Sequence, residues 1–363
     1  MLIDIACLFL YTLQENVLEF LYEYGLFLAK AVTVVITLVA IVAIIAASAM
    51  KQKAKAGEIE ITDLSEKFED IEHEMTYALL SEDQAKKKDK ADKKAEKAKA
   101  KAEKKSGEHP EDEKPRLFVL DFIGSIDAKE VTSLREEITA ILSVATETDE
   151  VFIRLESGGG MVHGYGLASS QLARLRQKNI SLTASVDKVA ASGGYMMACV
   201  ANNIISAPFA ILGSIGVIAQ VPNFNKLLKK NDIDYEQFTA GEFKRTVTMF
   251  GENTDKGREK FVEELEETHV LFKDFVNEHR PSLDLTKVAT GEHWFGTTAL
   301  TLGLVDSLQT SDDYLQVASK THKVIAVKYA LHKTLAEKFS KAASLSITDA
   351  FSKIWQQNRI FPS

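Results

Sequence analysis

Cysteine is nearly absent from this chain, with two in 363 residues, Cys7 and Cys199. They stand in unlike surroundings, one in an N-terminal apolar segment and one in a run of small residues, which excludes a disulfide framework. Cys199 reads as a small buried apolar residue rather than a reactive thiol. Histidine is sparse too: the eight histidines are scattered, and none forms a pair at metal-ligand spacing, so no zinc site is expected. Excess positive charge is missing from most of the chain. The formal charge is −8 even though Lys86 to Lys105 is strongly basic, so the remainder is more acidic than the total. That argues against a nucleic-acid-binding globular part. Apolar residues are not lacking: they make up 45% of the chain, enough for one large core or two ordinary ones plus appendages.

From Ala31 to Met50 no charged residue occurs. That run matches the ~20 residues a bilayer-spanning helix needs and is too long for the apolar core of a signal peptide. A membrane anchor over residues 1–56, with its main span about 31–50, is therefore expected, and the lipid bilayer is a partner. The segment before it, Met1 to Tyr24, is apolar but carries Asp4, Glu15, Glu19 and Glu23, which favours lying at the interface over spanning. Lys51, Lys53 and Lys55 follow the span directly, and the positive-inside rule places that side in the cytoplasm.

Residues 57–115 read as an amphipathic and Lys/Ala/Glu-rich linker. Leu64, Phe68, Ile71, Met75 and Leu79 recur at roughly helical spacing over Gly57 to Leu80, and Glu82 to Lys105 has no apolar stripe. Beyond Arg116 short apolar runs alternate with helical patterns. Strands are expected at Leu117–Phe122, Val151–Leu155, Ile180–Val186, Tyr235–Thr239 and Lys323–Tyr329. Helices are expected at Ala128–Ser143, His163–Gln177, Asn223–Asn231 and Asp255–His279. That alternation predicts an α/β domain with largely parallel pairing over 116–330. A C-terminal amphipathic helix is expected in 331–363.

The stretch Val186 to Val200 carries the most chemistry. An apolar strand leads into two alanines, Ser192, two glycines and a segment able to propagate as a helix. Small residues on both sides of a serine permit a tight strand-to-helix turn, placing the hydroxyl where backbone N–H groups are unpaired. Such a serine is either an N-cap or a nucleophile. A nucleophile needs a base, and between Ser192 and His269 there is no histidine. His163, His269 and His293 stand in contexts that do not look built for a Ser–His–Asp triad. Lysine is the other candidate, because a desolvated neutral amine can act as a general base. Lys188 and Lys244 are both available, and from their own surroundings each reads first as a surface residue.

The segments just described resemble the bacterial signal-peptide peptidase family, serine peptidases with a Ser–Lys dyad. The resemblance covers nearly the whole chain. It rests on E-S-G-G-G-M-V-H-G-Y-G from Glu156, V-A-A-S-G-G-Y-M-M-A from Val189 and A-P-F-A-I-L-G-S-I-G-V from Ala207. It continues through T-A-G-E-F-K-R-T from Thr239, G-E-N-T from Gly251 and A-T-G-E-H-W-F-G from Ala289. It implies a Clp protease/crotonase-like superhelix of β-β-α units and serine endopeptidase activity on peptides or unfolded polypeptides, signal-peptide remnants included. It implies no metal and no cofactor, and homo-oligomers in which neighbouring subunits complete the sites. Carried over by position, Ser192 is the nucleophile, a buried Lys244 the base, and Ser214 the hydroxyl that orients the lysine. Gly159, Gly160 and Gly193 supply the oxyanion hole. One departure is visible: where that family usually has S-P-G-G, this chain has Ser157-Gly158-Gly159-Gly160, and the loop is expected to be more mobile without substrate.

The resemblance also implies a bacterial inner-membrane protein acting on the outer face, whereas the lysines after Met50 point inward. Two other readings stand beside the peptidase. One is a non-catalytic membrane scaffold of the same fold, which would not react with a fluorophosphonate. The other is a crotonase-like acyl-CoA enzyme, which would turn over a CoA thioester.

Overall fold

A computed structural model describes residues 22–39, 41, 57–106 and 114–331. The chain divides into two units, Met1–Glu58 with Leu331–Ser363, and Ile59–Ala330. In the first unit, helix α1 (Tyr22–Val39) is long and apolar enough to cross a membrane. Half of the expected span, residues 40 and 42–50, and the expected C-terminal helix lie outside the described residues.

The second unit opens with a strand rather than a helix. In β1 (Glu58–Asp63) charged and apolar residues alternate with period two, and Asp63 then accepts from the Glu66 amide to cap α2 (Leu64–Leu79). A 25-residue helix, α3 (Glu82–Ser106), follows. Next come β2 (Arg116–Ile123), α4 (Val131–Val144), β3 (Glu150–Glu156), α5 (Val162–Gln177), β4 (Ser181–Val186), β5 (Val189–Ala191) and α6 (Gly193–Ala198). The chain continues through β6 (Asn203–Ser206), β7 (Ile211–Gly213), α7 (Asn225–Lys230) and α8 (Asp255–His279). It ends with α9 (Leu285–Val288), β8 (His293–Phe295), α10 (Gly296–Leu302), β9 (Ser307–Leu308), α11 (Ser311–Ala318) and β10 (Lys323–Ala330).

Seven strands form one sheet in the order β1-β10-β2-β3-β4-β6-β9, and from β10 to β9 every pairing is parallel. Strands buried on both faces are near-continuous apolar runs, as in Leu117 to Phe122. Phe118, Leu120 and Phe122 face the main core with α4, α5 and α6, while Leu117 and Val119 face a smaller cluster with Leu315 of α11 and Phe68 of α2. A second sheet, β5-β7-β8, stands beside the first. The expected α/β class is therefore observed.

The expected strand at Tyr235–Thr239 is not formed. It lies in an exposed stretch, from Ile218 to Arg245, that has no neighbouring strand among the described residues to satisfy its backbone. Asn223 donates to Thr248 and Gly251 carbonyls, and Phe224 and Tyr235 pack on Phe250, so this arm carries its own small hub. Its apolar side chains remain in solvent, with Phe238 89% and Ile218 78% exposed.

One buried carboxylate makes stability depend on pH. Glu137 of α4 is 5% exposed, and its Oε1 accepts the Tyr329 amide at 2.8 Å. Burial, reinforced by Asp121 and opposed by the Tyr329 hydrogen bond, pushes its carboxyl up from 4.5 to about 7. A carboxyl raised on folding contributes stability below its unfolded value, and that contribution is lost as pH rises through about 7. Glu137→Gln keeps the acceptor without the charge. It is expected to leave the melting temperature unchanged at pH 4, below the unfolded value, and to raise stability at pH 8 by about 1–3 kcal/mol. Equal melting shifts at both pH values would contradict this.

Candidate active site

Ser192 stands where β5 ends and α6 begins, with φ 53° and ψ −119°. A non-glycine residue at positive φ costs ~1–3 kcal/mol and persists only where its surroundings impose it. Here they do: the Ser192 amide donates to the Gly213 carbonyl at 2.8 Å, its carbonyl accepts from Met196, and all of α6 is buried. Ser192 occupies the N-cap position, yet its hydroxyl makes no capping hydrogen bond. The cap reading of this serine is thereby removed, and the hydroxyl is left available.

The two glycines after Ser192 are steric necessities. A Cβ on Gly193 would overlap the Tyr165 ring, and one on Gly194 would lie 2.5 Å from the Ser157 carbonyl oxygen. Ser157 itself is joined to β5, its amide donating to Val189 and its carbonyl accepting from Ala191. This brings the glycine loop against the Ser192 turn. Gly159 has φ +88°, and a Cβ there would lie 2.6 Å from the Ser192 Cβ and 2.8 Å from the Gly193 nitrogen. A Cβ on Gly160 would overlap the Ile126 carbonyl.

The three expected oxyanion glycines are therefore together, but they are not equivalent. The Gly159 amide donates to Ser157 Oγ at 3.1 Å, so Gly159 contributes its conformation rather than a free donor. Among the described residues the Gly160 and Gly193 amides donate to no acceptor. Ser214 is brought in by strand pairing: β7 lies parallel to β5 with Gly213 opposite Ala191, and Ser214 follows at φ 53° with its amide on the Glu292 carbonyl at 2.6 Å.

Lys244 is not brought in. It lies in the arm, exposed, its amide on the Gly241 carbonyl and its ammonium without a partner among the described residues. The burial expected of it is not observed among the described residues: α8 touches the neighbouring positions, Lys256 pairing with Glu242 and lying with Lys260 over the Phe243 ring, and leaves Lys244 exposed. Lys188, as expected of a surface residue, is exposed and paired with Glu156 at 2.9 Å.

A cavity of about 80 Å³ adjoins Ser192, walled by Gly160, Val162, Met196 and Ile218 and by Thr268 and Phe272 of α8. No histidine lines it; His163 and His293 are exposed. Cys199 is fully buried in α6's C-cap, and burial pushes its thiol well up, which removes it as a nucleophile.

Sequence reasoning missed Tyr165, Ser157 and the α8 residues. Tyr165 is 0% exposed, its hydroxyl 2.5 Å from Ser157 Oγ and 2.8 Å from the Ser125 carbonyl. A tyrosine between two glycines on a helix was its only signal.

Gly158, where the resemblance leads one to expect proline, is exposed, and a Cβ there meets nothing within 4 Å. Ser157 before it is bridged to Ala190, an extended setting that suits a residue preceding proline. Gly158→Pro is expected to raise stability by about 0.4–1 kcal/mol through the unfolded chain. An unchanged melting temperature would count against it.

Ser192, at positive φ in a strand-to-helix turn, is thus faced by a glycine loop, with the Gly160 and Gly193 amides unpaired among the described residues. The chain matches the model of peptidase family S49, N-terminal, over residues 19–172 and that of peptidase family S49 over 174–325, and it belongs to that family of proteases. Among its relatives is the probable protease SohB of Haemophilus influenzae, 56% identical over 332 residues, 90% of this chain and 94% of that protein. Another is the probable protease SohB of Buchnera aphidicola subsp. Schlechtendalia chinensis, 53% identical over 302 residues, 82% of this chain and 99% of that one. A solved structure, that of a mutant of the 1510-N membrane-bound stomatin-specific protease, aligns with TM-score 0.37 and 15% identity over 56% of this chain and 83% of its own.

Proposed function

We propose that this chain is a membrane-anchored serine endopeptidase in which Ser192 is the nucleophile and Lys244 the general base. The observation that carries the reading is the uncapped Ser192 hydroxyl beside the unpaired amides of Gly160 and Gly193. Neutral Lys244 takes the Ser192 proton as Oγ bonds to the peptide carbonyl carbon. The Gly160 and Gly193 amides hold the resulting oxyanion. The C–N bond then breaks, the lysine returns the proton to the leaving amine, and an acyl-serine ester remains. Water, deprotonated by the same lysine, cleaves that ester and restores Ser192. Ser214 orients the lysine.

A lysine serves as base only when desolvated, so the reading requires a second copy of the chain to cover the arm. The exposure of Phe238 and Ile218 supports such a homo-oligomer. The alternation of a long strand, a short strand or bridge in the second sheet, and a helix, seen in β3–Ser157–α5 and β4–β5–α6, supports the β-β-α superhelix. Helix α1 supports anchoring, and substrates are peptides or unfolded polypeptides with small or apolar side chains beside the cleaved bond. Labelling of the full chain in detergent with a fluorophosphonate is expected to modify Ser192, as mapped by peptide mass spectrometry. Modification elsewhere, or light scattering showing only monomer in an active sample, would overturn the reading. Protease protection in spheroplasts decides which side of the membrane Ser192 occupies.

A further inference from the structure

We infer that Tyr165 is a positioning residue for the oxyanion site, its ring supporting the Gly193 amide and its hydroxyl setting the Gly159–Gly160 loop through Ser157. The inference rests on the reading of Ser192 as the acylating nucleophile. Three contacts carry it. The Tyr165 ring lies so close under Gly193 that a Cβ there would overlap it. The Tyr165 hydroxyl is within hydrogen-bond distance of both Ser157 Oγ and the Ser125 carbonyl. Ser157 Oγ accepts the amide of Gly159, the residue packed on Ser192.

The direction of this chain follows from its ends. The Gly159 amide can only donate, and the Ser125 carbonyl can only accept. The Tyr165 proton therefore goes to Ser125 and the Ser157 proton to Tyr165, leaving a Ser157 lone pair for Gly159. Both hydroxyl rotors are fixed, so no alternative pattern competes. The far end is anchored as well, because Ser125 donates its amide to Glu130 at 3.0 Å and its hydroxyl lies within hydrogen-bond distance of the Asp127 and Glu130 carboxylates, at 2.6 and 2.7 Å. Burial raises the Tyr165 phenol, which keeps it protonated as the donor this pattern needs. There is no room for substitution around the pair: a Cβ on Gly124 would lie 2.5 Å from the Tyr165 hydroxyl and 2.8 Å from Ser157 Oγ. With glycine in place of proline at position 158, the loop conformation is held by this hydrogen-bond chain instead of by a fixed φ. Tying the Gly159 amide to Ser157 leaves the next amide, that of Gly160, for the substrate oxyanion.

The test uses the full chain in detergent, an internally quenched peptide with alanine or leucine before the cleaved bond, and a peptide boronic acid that forms a tetrahedral adduct with the serine. Tyr165→Phe keeps the ring and deletes the hydroxyl. It is expected to lower kcat by about 10–100-fold, short of the full loss of an oxyanion donor. KM stays close to wild type, and the melting temperature falls by no more than the loss of one buried hydroxyl's hydrogen bonds accounts for. Boronate affinity falls with kcat, while binding of the non-covalent product peptide does not change. Ser157→Ala breaks the same chain and is expected to give the same loss, with the double variant no worse than either single one. Wild-type kcat in Tyr165→Phe, or a loss confined to KM with boronate affinity intact, overturns the inference. If Tyr165→Phe fails to fold, the same measurements on Ser157→Ala decide it. The two readings fail separately: turnover retained in Ser192→Ala sinks the mechanism, whereas a dead Ser192→Ala beside a fully active Tyr165→Phe sinks only the positioning role.

Discussion

Lys244→Ala is expected to reduce peptide hydrolysis by at least ~10³-fold while leaving the melting temperature of the chain unchanged. Both halves follow from where the lysine sits. It is exposed in the arm and its ammonium has no partner among the described residues, so truncating it removes nothing that holds the fold. Its proposed work is to take and return one proton per acyl-transfer step, and without it the Ser192 hydroxyl stays protonated. Ser192→Ala should cost as much, and the double variant little more, because the two residues act as a unit. The measurement is kcat/KM on the internally quenched peptide, with the melting curve beside it. On the proposed reading another copy covers the lysine, so specific activity should also fall as the protein is diluted below its association range. Mixing Ser192→Ala with Lys244→Ala subunits should restore part of the activity if neighbours share a site. Wild-type turnover in Lys244→Ala would end the dyad assignment, whatever the oligomeric state.

The second large effect is expected at Gly159, with Gly158 as its control. The two are adjacent glycines of one loop, yet their surroundings differ. At Gly159 a Cβ would lie 2.6 Å from the Ser192 Cβ and 2.8 Å from the Gly193 nitrogen and the Ala191 oxygen, on a backbone with φ +88°. The partners are backbone atoms and the Ser192 Cβ, so none can yield without moving the Ser192 turn. A non-glycine residue at such a φ adds strain of ~1–3 kcal/mol. Gly159→Ala should therefore lose at least ~10²-fold in kcat, the scale of one lost oxyanion donor, and melt lower. At Gly158 a Cβ meets nothing within 4 Å, and Gly158→Ala should keep near wild-type kcat and stability. Equal effects of the two substitutions on kcat would show that the loop does not pack on the nucleophile as it does here.

Some of this was legible in the residues alone. The apolar runs at Leu117–Phe122, Val151–Leu155 and Ile180–Val186 announced buried parallel strands, since burial on both faces leaves no polar alternation. Asp255–His279 was legible to the residue, because Thr254 caps the helix by accepting from Gly257 and the apolar spacing persists to the end. Within Gly57 to Leu80, where the apolar residues recur at helical spacing, Glu58–Asp63 is instead a strand: over so few residues, alternation with period two and spacing of three or four look alike. Tyr235–Thr239 had strand composition but no neighbour, and strand propensity without a partner forms nothing.

By itself the sequence determined the chemistry available to this protein. It placed a serine between small residues, glycines where only glycine fits, a lysine but no histidine suited to it, and an apolar run near the N-terminus. Those are properties of residue type and local spacing, and local rules read them. Only the tertiary structure decided whether Ser192 is a cap or a free hydroxyl, because that depends on a φ of 53° imposed by Gly213, a residue 21 positions away. Only it showed that Gly159 spends its amide on Ser157 while Gly160 does not, and that Tyr165 underlies both halves of the site. Hydrogen-bond partners and contact distances are set by packing across the sheet, between residues whose separation along the chain carries no trace of it.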